Sequence, residues 1–197
     1  MMARVDIRAW MFAYRSYTPI PFLVAMILFA HPTLPSLCAG FAVVVAGEMI
    51  RFWGVSIAGA ETRTTGTVGG TFLITNGPFG YVRNPLYLGN MLMYAGVGMM
   101  SMALFPWLLI AAVLWFYLQY YLIVTKEEEY LRERFGEEYR LYCSKVHRFV
   151  PRLTPYRATG LPPKTVDLSE GVASESRTVQ AIALVTVILV ILFFVRS

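Results

Sequence analysis

Apolar residues in this chain come in long unbroken blocks rather than in short alternations. From Ser16 to Gly47 there is no Asp, Glu, Lys or Arg, and the only interruption is the turn-like cluster His31-Pro32-Thr33-Leu34-Pro35. The pattern predicts a hairpin of two spans, roughly Tyr17 to Ala30 and Ser36 to Ala60. A second uncharged block, Asn84 to Thr125, is about twice the ~20 residues that one helix needs to cross a bilayer. It must fold back on itself, best near Leu104-Phe105-Pro106, where proline can open a helix. The run Thr178 to Val195 is just long enough to cross. The expectation is an all-α, polytopic integral membrane protein with about five transmembrane helices.

Composition agrees: 57% of the 197 residues are hydrophobic and 15% charged, against about 25% charged in ordinary soluble domains. The formal charge is +5, which could suggest nucleic acid, but basic residues beside apolar spans reflect topology and anionic headgroups instead. No nucleic acid partner is expected. Of 17 Lys and Arg residues, all but Arg51 and Arg196 fall in the N-terminal segment, between the second and third spans, or in the segment after the fourth. The positive-inside rule then puts the N-terminus and those segments in the cytoplasm. A cleaved signal peptide fits poorly, because a further span follows Ala30 at once. Cys38 and Cys143 form neither a disulfide framework nor a metal pair, and no metal site is expected.

Polar sequence is scarce, so its placement is informative. In the Gly- and Thr-rich stretch Gly59 to Asn84, Gly66, Gly69 and Gly70 fit no phosphate-binding spacing. Arg83-Asn84-Pro85 stands where the chain enters the membrane, with Asn84 suited to cap a helix and Pro85 to its first position. A helix end there also attracts anions. Tyr87, Gly89 and Asn90 bring polar groups and little bulk to the first turns. At the exit of the fourth span stand Glu127 and Glu128. Lys126 to Pro151 keeps Tyr130, Leu131, Phe135, Tyr139, Tyr142 and Val146 at helical spacing, predicting a cytoplasmic amphipathic helix or helix pair broken near Gly136. Glu48 and Arg51 fall within the second span, where each charge costs ~2.5 to 3.5 kcal/mol on insertion scales. They form either an internal i, i+3 pair or the wall of a polar cavity.

GPFGYVRNPLYLGN (Gly77 to Asn90), EExxL (Glu127 to Leu131) and FGxxYxxYxxxVxRxxP (Phe135 to Pro151) together resemble the membrane methyltransferase superfamily that includes isoprenylcysteine carboxyl methyltransferases and phospholipid methyltransferases. The resemblance covers roughly residues 40–152. It implies S-adenosylmethionine as cofactor, held in a cytoplasmic pocket that opens to the bilayer, with a membrane lipid or lipidated acceptor. By this likeness Gly77, Tyr81, Val82, Arg83, Asn84, Pro85, Tyr87, Leu88 and Gly89 match the first cofactor segment, and Glu127 and Glu128 the second. Arg83, Glu128 and Tyr87 are the catalytic candidates: Arg83 for the cofactor carboxylate, a glutamate for its ammonium or ribose hydroxyls, and Glu128, Tyr87 or His147 as a base for an amine acceptor. Arg83 and the glutamates are expected to face each other across room for the cofactor. Asn84 replaces the family's usual histidine, as it also does in phosphatidylethanolamine methyltransferases.

The resemblance divides the chain into a core at 1–157, a linker at 158–177, and an extra helix at 178–197 whose expected role is a membrane anchor or homodimer contact. A sterol-reductase-like NADPH enzyme is the rival by the RxPxYxG and YCxxV stretches, and a non-catalytic membrane scaffold is the second rival.

Overall fold

A computed structural model describes residues 7–59, 72–158 and 163–196. Among them the chain forms six α-helices and no strand: α1 (Ile7–Tyr14), α2 (Pro19–Leu28), α3 (Leu34–Ala58), α4 (Pro85–Ser101), α5 (Trp107–Lys145) and α6 (Leu168–Arg196). Gly66, Gly69 and Gly70 lie outside the described residues.

Helix boundaries follow local chemistry. Thr33 opens α3 with a reciprocal capping box: its hydroxyl accepts from the Ser36 amide at 3.2 Å, and Ser36 Oγ accepts from the Thr33 amide at 2.9 Å. Two otherwise orphaned donors are thereby satisfied. The uncharged block folds back at residues 102–106, with Met102 and Leu104 at positive φ, and α5 begins directly after Pro106. The spanning part of α5 ends where charge returns after Thr125. The helix then runs on to Lys145, bent at Gly136, whose φ of 51° and ψ of −122° are not helical.

The helices α3, α5 and α6 are long and apolar enough to cross a membrane, and a fourth crossing is made if α1 and α2, bent by 54°, act as one. At 17 residues, α4 stands at the short edge of the range, about 17 to 25, that spans a bilayer. It is packed closely against α3. Where α3 and α4 cross, a Cβ on Gly40 would sit 2.5 Å from the Gly96 carbonyl, and one on Gly89 would sit 2.6 Å from the Gly47 carbonyl. Bare backbone is the means of approach, as expected where lipid supplies no hydrophobic drive between helices. Around this crossing pack Met26, Val44, Met100, Phe116, Tyr120 and Ile123, all buried.

Long-range contacts sort the connections into two ends. At one, Arg8 pairs with Glu129, the Arg83 amide donates to the His147 carbonyl, and Lys164 Nζ donates to the Ala58 carbonyl. At the other, the His31 amide donates to the Ser101 carbonyl and Arg196 Nη1 to the Ala30 carbonyl. The basic segments therefore share one end of the bundle.

The C-terminal helix starts ten residues earlier than the apolar run from Thr178. Asp167 Oδ1 accepts from the amides of Ser169 and Glu170 at 3.0 and 3.1 Å, capping a polar first stretch that hydropathy alone reads as linker. Gly171 then lies so close to α3 that a Cβ there would meet Ser56 Oγ at 2.2 Å.

Candidate functional site

At the basic end, the entry of α4 and the exit of α5 come together around one carboxylate. Glu128 is 1% exposed, and its two oxygens are claimed by three guanidiniums. Arg83 donates from Nη2 at 2.9 Å and Nε at 3.2 Å. Arg148 donates from Nε at 3.1 Å and Nη2 at 2.7 Å, and Arg132 from Nη2 at 3.3 Å. A buried charge is tolerated only when paired and hydrogen-bonded to this degree. Burial works to raise the Glu128 carboxyl, but the hydrogen bonds from Arg148 and the charge of Arg83 outweigh it and hold the group below its ordinary 4.5.

The expectation of an open space between Arg83 and the acidic doublet is corrected here. Arg83 and Glu128 touch directly. The remaining nitrogen of Arg83, Nη1, donates to the Val146 and Cys143 carbonyls at 2.6 and 3.1 Å. A side chain so engaged, with only 11% of it exposed, ties the entry of α4 to the C-terminal end of α5 rather than reaching outward. Asn84 departs from its expected part too. It occupies the N-cap position of α4 but makes no side-chain cap; its Nδ2 donates to the Arg148 carbonyl at 3.2 Å. Pro85 opens the helix as expected.

Glu127 faces a different neighbour. Its Oε1 accepts from the Tyr87 hydroxyl at 2.6 Å, and the positive charge of Arg15, from the α1–α2 turn, acts on the same carboxylate. The Tyr87 ring lies 4.8 Å from that of Tyr120. Adjacent glutamates on one helix thus take different duties: Glu128 is enclosed by cations, while Glu127 is half-buried with a phenol.

The other residues matched by resemblance are distributed as follows. Gly77, at φ +60°, lies against Ile57 and Trp53 of α3, and Tyr81 packs its ring 6.0 Å from Trp53. Val82 is buried and Leu88 half-buried in the same turns. Gly89 serves the α3–α4 crossing, so the missing bulk there admits a helix. His147 is exposed and contributes its carbonyl to the Arg83 amide.

Two participants carry no role in the sequence reading. Arg148 stands inside the quoted FGxxYxxYxxxVxRxxP stretch, where its arginine was the available signal. Tyr142, from the same stretch, donates its hydroxyl to the Phe79 carbonyl at 2.6 Å, pinning the Gly77–Gly80 turn to the second half of α5.

A second polar cluster lies deeper in the bundle. Arg51 donates from Nη2 to both oxygens of Glu175 on α6 at 2.8 Å, and from Nε to one of them at 3.2 Å. It also donates to Asn90 Oδ1 on α4. The i, i+3 partner Glu48 stands 3.9 Å away, too far for a hydrogen bond. Both Glu48 oxygens are buried without a hydrogen-bond partner among the described residues. Of the two sequence readings, the internal Glu48–Arg51 pair is present as an i, i+3 ion pair at 3.9 Å, but a carboxylate from another helix takes the hydrogen bonds of the guanidinium. Among the described residues no group of three or more His, Cys, Asp or Glu is placed to hold a metal ion.

Comparison with known proteins adds an independent line. The family model described as phospholipid methyltransferase matches residues 35–138, just over half of the chain. The chain is also similar to the cobalt-zinc-cadmium resistance protein CzcN of Cupriavidus metallidurans, 30% identical over 148 residues that make up 70% of this chain and 62% of that protein. It is similar to the protein-S-isoprenylcysteine O-methyltransferase of Schizosaccharomyces pombe, 38% identical over 80 residues, 40% of this chain and 33% of that enzyme. The chain thus spans less than two thirds of the length of either relative. No solved structure matches.

Proposed function

We propose a methyl-transfer reaction for this chain, which belongs to the phospholipid methyltransferase family. The donor is S-adenosylmethionine, and the acceptor is a lipid or lipid-attached group reached from the bilayer on the cytoplasmic side. The observation that carries the reading is the meeting of Arg83-Asn84-Pro85 with Glu127-Glu128, two segments far apart in sequence, at the point where α5 acquires charge.

The donor set fits this cofactor in chemistry. Three guanidiniums surround one buried carboxylate, leaving a cationic surplus whose outer members are Arg148, 21% exposed, and Arg132, 51% exposed. These two would hold a carboxylate. Glu127, oriented by Tyr87, would hold an ammonium or ribose hydroxyls. Arg83 acts from behind by fixing Glu128, which in turn aims Arg148. Held there, S-adenosylmethionine would supply an electrophilic methyl group on a positively charged sulfur.

The rest of the work is positioning and exclusion of water, which can supply much of the acceleration of a displacement. An acceptor carboxylate needs no base. An acceptor amine must first lose its proton, and Glu127 with its phenolic partner is the group to receive it.

Calorimetry on the purified protein in detergent separates this reading from its rivals. Micromolar binding of S-adenosylhomocysteine without binding of NADPH supports methyl transfer. The reverse result rejects it in favour of a reductase, and binding of neither favours a scaffold. A labelled methyl donor supplied with a total lipid extract then identifies the acceptor by the species that becomes labelled.

A further inference from the structure

The family match ends at residue 138, and α6 lies wholly beyond it. An added helix that only anchors the chain would present an apolar surface to its neighbours, yet α6 brings a carboxylate into the bundle. Glu175 is 2% exposed and meets Arg51 through two nitrogens. Arg51 in turn holds Asn90, one turn beyond Tyr87 on α4. Asn90 also acts on the hydroxyl of Tyr120, whose ring packs on Tyr87. The chain of contact therefore runs from α6 through α3 to the first turns of α4, and ends on the phenol that donates to Glu127.

The approach to α6 is fastened as well. The Asp167 amide donates to the Ser56 carbonyl at 2.7 Å, Lys164 Nζ to the Ala58 carbonyl at 2.7 Å, and Asn76 Nδ2 to the Lys164 carbonyl at 2.9 Å. Asn76 immediately precedes the Gly77–Gly80 turn of the site segment.

We propose that Glu175 is a positioning residue: by fixing Arg51 it holds Asn90, and so the Tyr87-bearing turns of α4, in register with Glu127, which makes the C-terminal helix a working part of the site. This rests on the reading of that site as the methyl-transfer site. The two can fail separately.

The test uses the full chain with Glu175→Leu, Glu175→Gln and the double variant Arg51→Leu/Glu175→Leu. Three readouts are needed: Tm in detergent, hydrogen exchange over residues 85–92, and the kcat and KM of methyl transfer. Glu175→Leu leaves Arg51 with Glu48 as its carboxylate, 3.9 Å away, and should lower Tm by several degrees. Glu175→Gln, which keeps one acceptor, should fall between it and the parent. The double variant removes the hydrogen-bonded ion pair, leaves Glu48 as the remaining carboxylate of the cluster, and should recover part of the Tm, because an apolar pair replaces a buried ion pair. Its α4 turns should still exchange at least tenfold faster than in the parent, with kcat at least tenfold lower and KM less changed, because Asn90 has lost Arg51.

Recovery of exchange protection and kcat together with Tm would make the pair merely structural and overturn the proposal. An unaltered Glu175→Leu protein would overturn it as well. Should the parent protein methylate nothing while the exchange pattern appears as described, the methyl-transfer reading fails and the coupling of α6 to α4 stands.

Discussion

The two ionic clusters of this protein handle buried charge in opposite ways. At the end of the bundle, one carboxylate is shared among Arg83, Arg132 and Arg148, so cations are in excess and two of them retain exposure. Inside the bundle, one guanidinium is flanked by two carboxylates. Glu175 satisfies it, and Glu48 is left over. The first arrangement has surplus charge directed outward, where a ligand of opposite sign can reach it. The second is closed by a helix from the far end of the chain, and its surplus is enclosed. Net ionic balance thus separates a cluster whose surplus cations keep some exposure from one whose ion pair is closed between helices. The comparison also shows why hydrogen bonding is not inferred from proximity in sequence: Glu48 is the nearer carboxylate to Arg51 in sequence and pairs with it only at 3.9 Å, while Glu175 takes the hydrogen bonds.

The largest test of this contrast is Glu128→Leu, which leaves three guanidiniums facing one another. Breaking a buried pair from one side costs ~3 to 5 kcal/mol, so thermal melts in detergent should show a fall in Tm of about 10 °C or more. A retained Tm would mean that the arginines do not depend on their common partner. The same group gives a pH dependence. Its folded value lies below the ordinary 4.5, so its contribution to stability is full above that value and is lost as pH falls through the lower, folded value. Melts recorded downward from pH 6 should decline only below about 4.5 in the parent, and that acid limb should be shallower in Glu128→Leu.

Glu48→Leu should act in the opposite direction. Removing a buried carboxylate with no hydrogen-bond partner relieves a desolvation cost of ~1 to 3 kcal/mol, and Tm should rise by several degrees. A fall would show that Glu48 steadies Arg51 across the 3.9 Å separation.

A smaller effect is expected from Tyr87→Phe, which deletes one hydrogen bond to Glu127. The cost in stability should be about 1 kcal/mol, whereas S-adenosylhomocysteine affinity measured by calorimetry should drop several-fold if Glu127 contacts the cofactor. Unchanged affinity would remove the Tyr87–Glu127 pair from the site. Last comes Arg132→Gln: its guanidinium is half exposed and its bond to Glu128 is the longest of the set. Its loss should change stability by under ~1 kcal/mol, the scale of a solvent-exposed pair.

Much of the fold is legible in the sequence because it depends on composition over long windows. Uncharged blocks of this length become helices in lipid, because a helix satisfies its backbone polar groups within one segment. Pro32, Pro35 and Pro106 punctuate those blocks, the spacing of Tyr130, Phe135 and Tyr139 marks the helical segment that follows them, and Gly136 permits the bend expected near it. For the site, Arg83, Tyr87, Glu127 and Glu128 can be singled out because charge and hydroxyl groups beside a span are rare enough to stand out. Which of them binds which is another matter. That Arg83 would be consumed by Glu128, that Asn84 would reach Arg148 instead of capping α4, and that Gly89 would admit a helix are decided only when chain segments dozens of residues apart approach one another.

The same distinction holds for α6. Hydropathy places an apolar run at Thr178 to Val195 and reads the residues before it as linker, because window averages register greasiness and pass over an isolated Glu175. Sequence by itself determined that this chain lives in a bilayer, roughly where it crosses, and which polar groups lie near the crossings. Tertiary structure alone decided which charges neutralise each other, since ion pairing falls off within a few ångströms and depends on partners that the order of residues does not bring together.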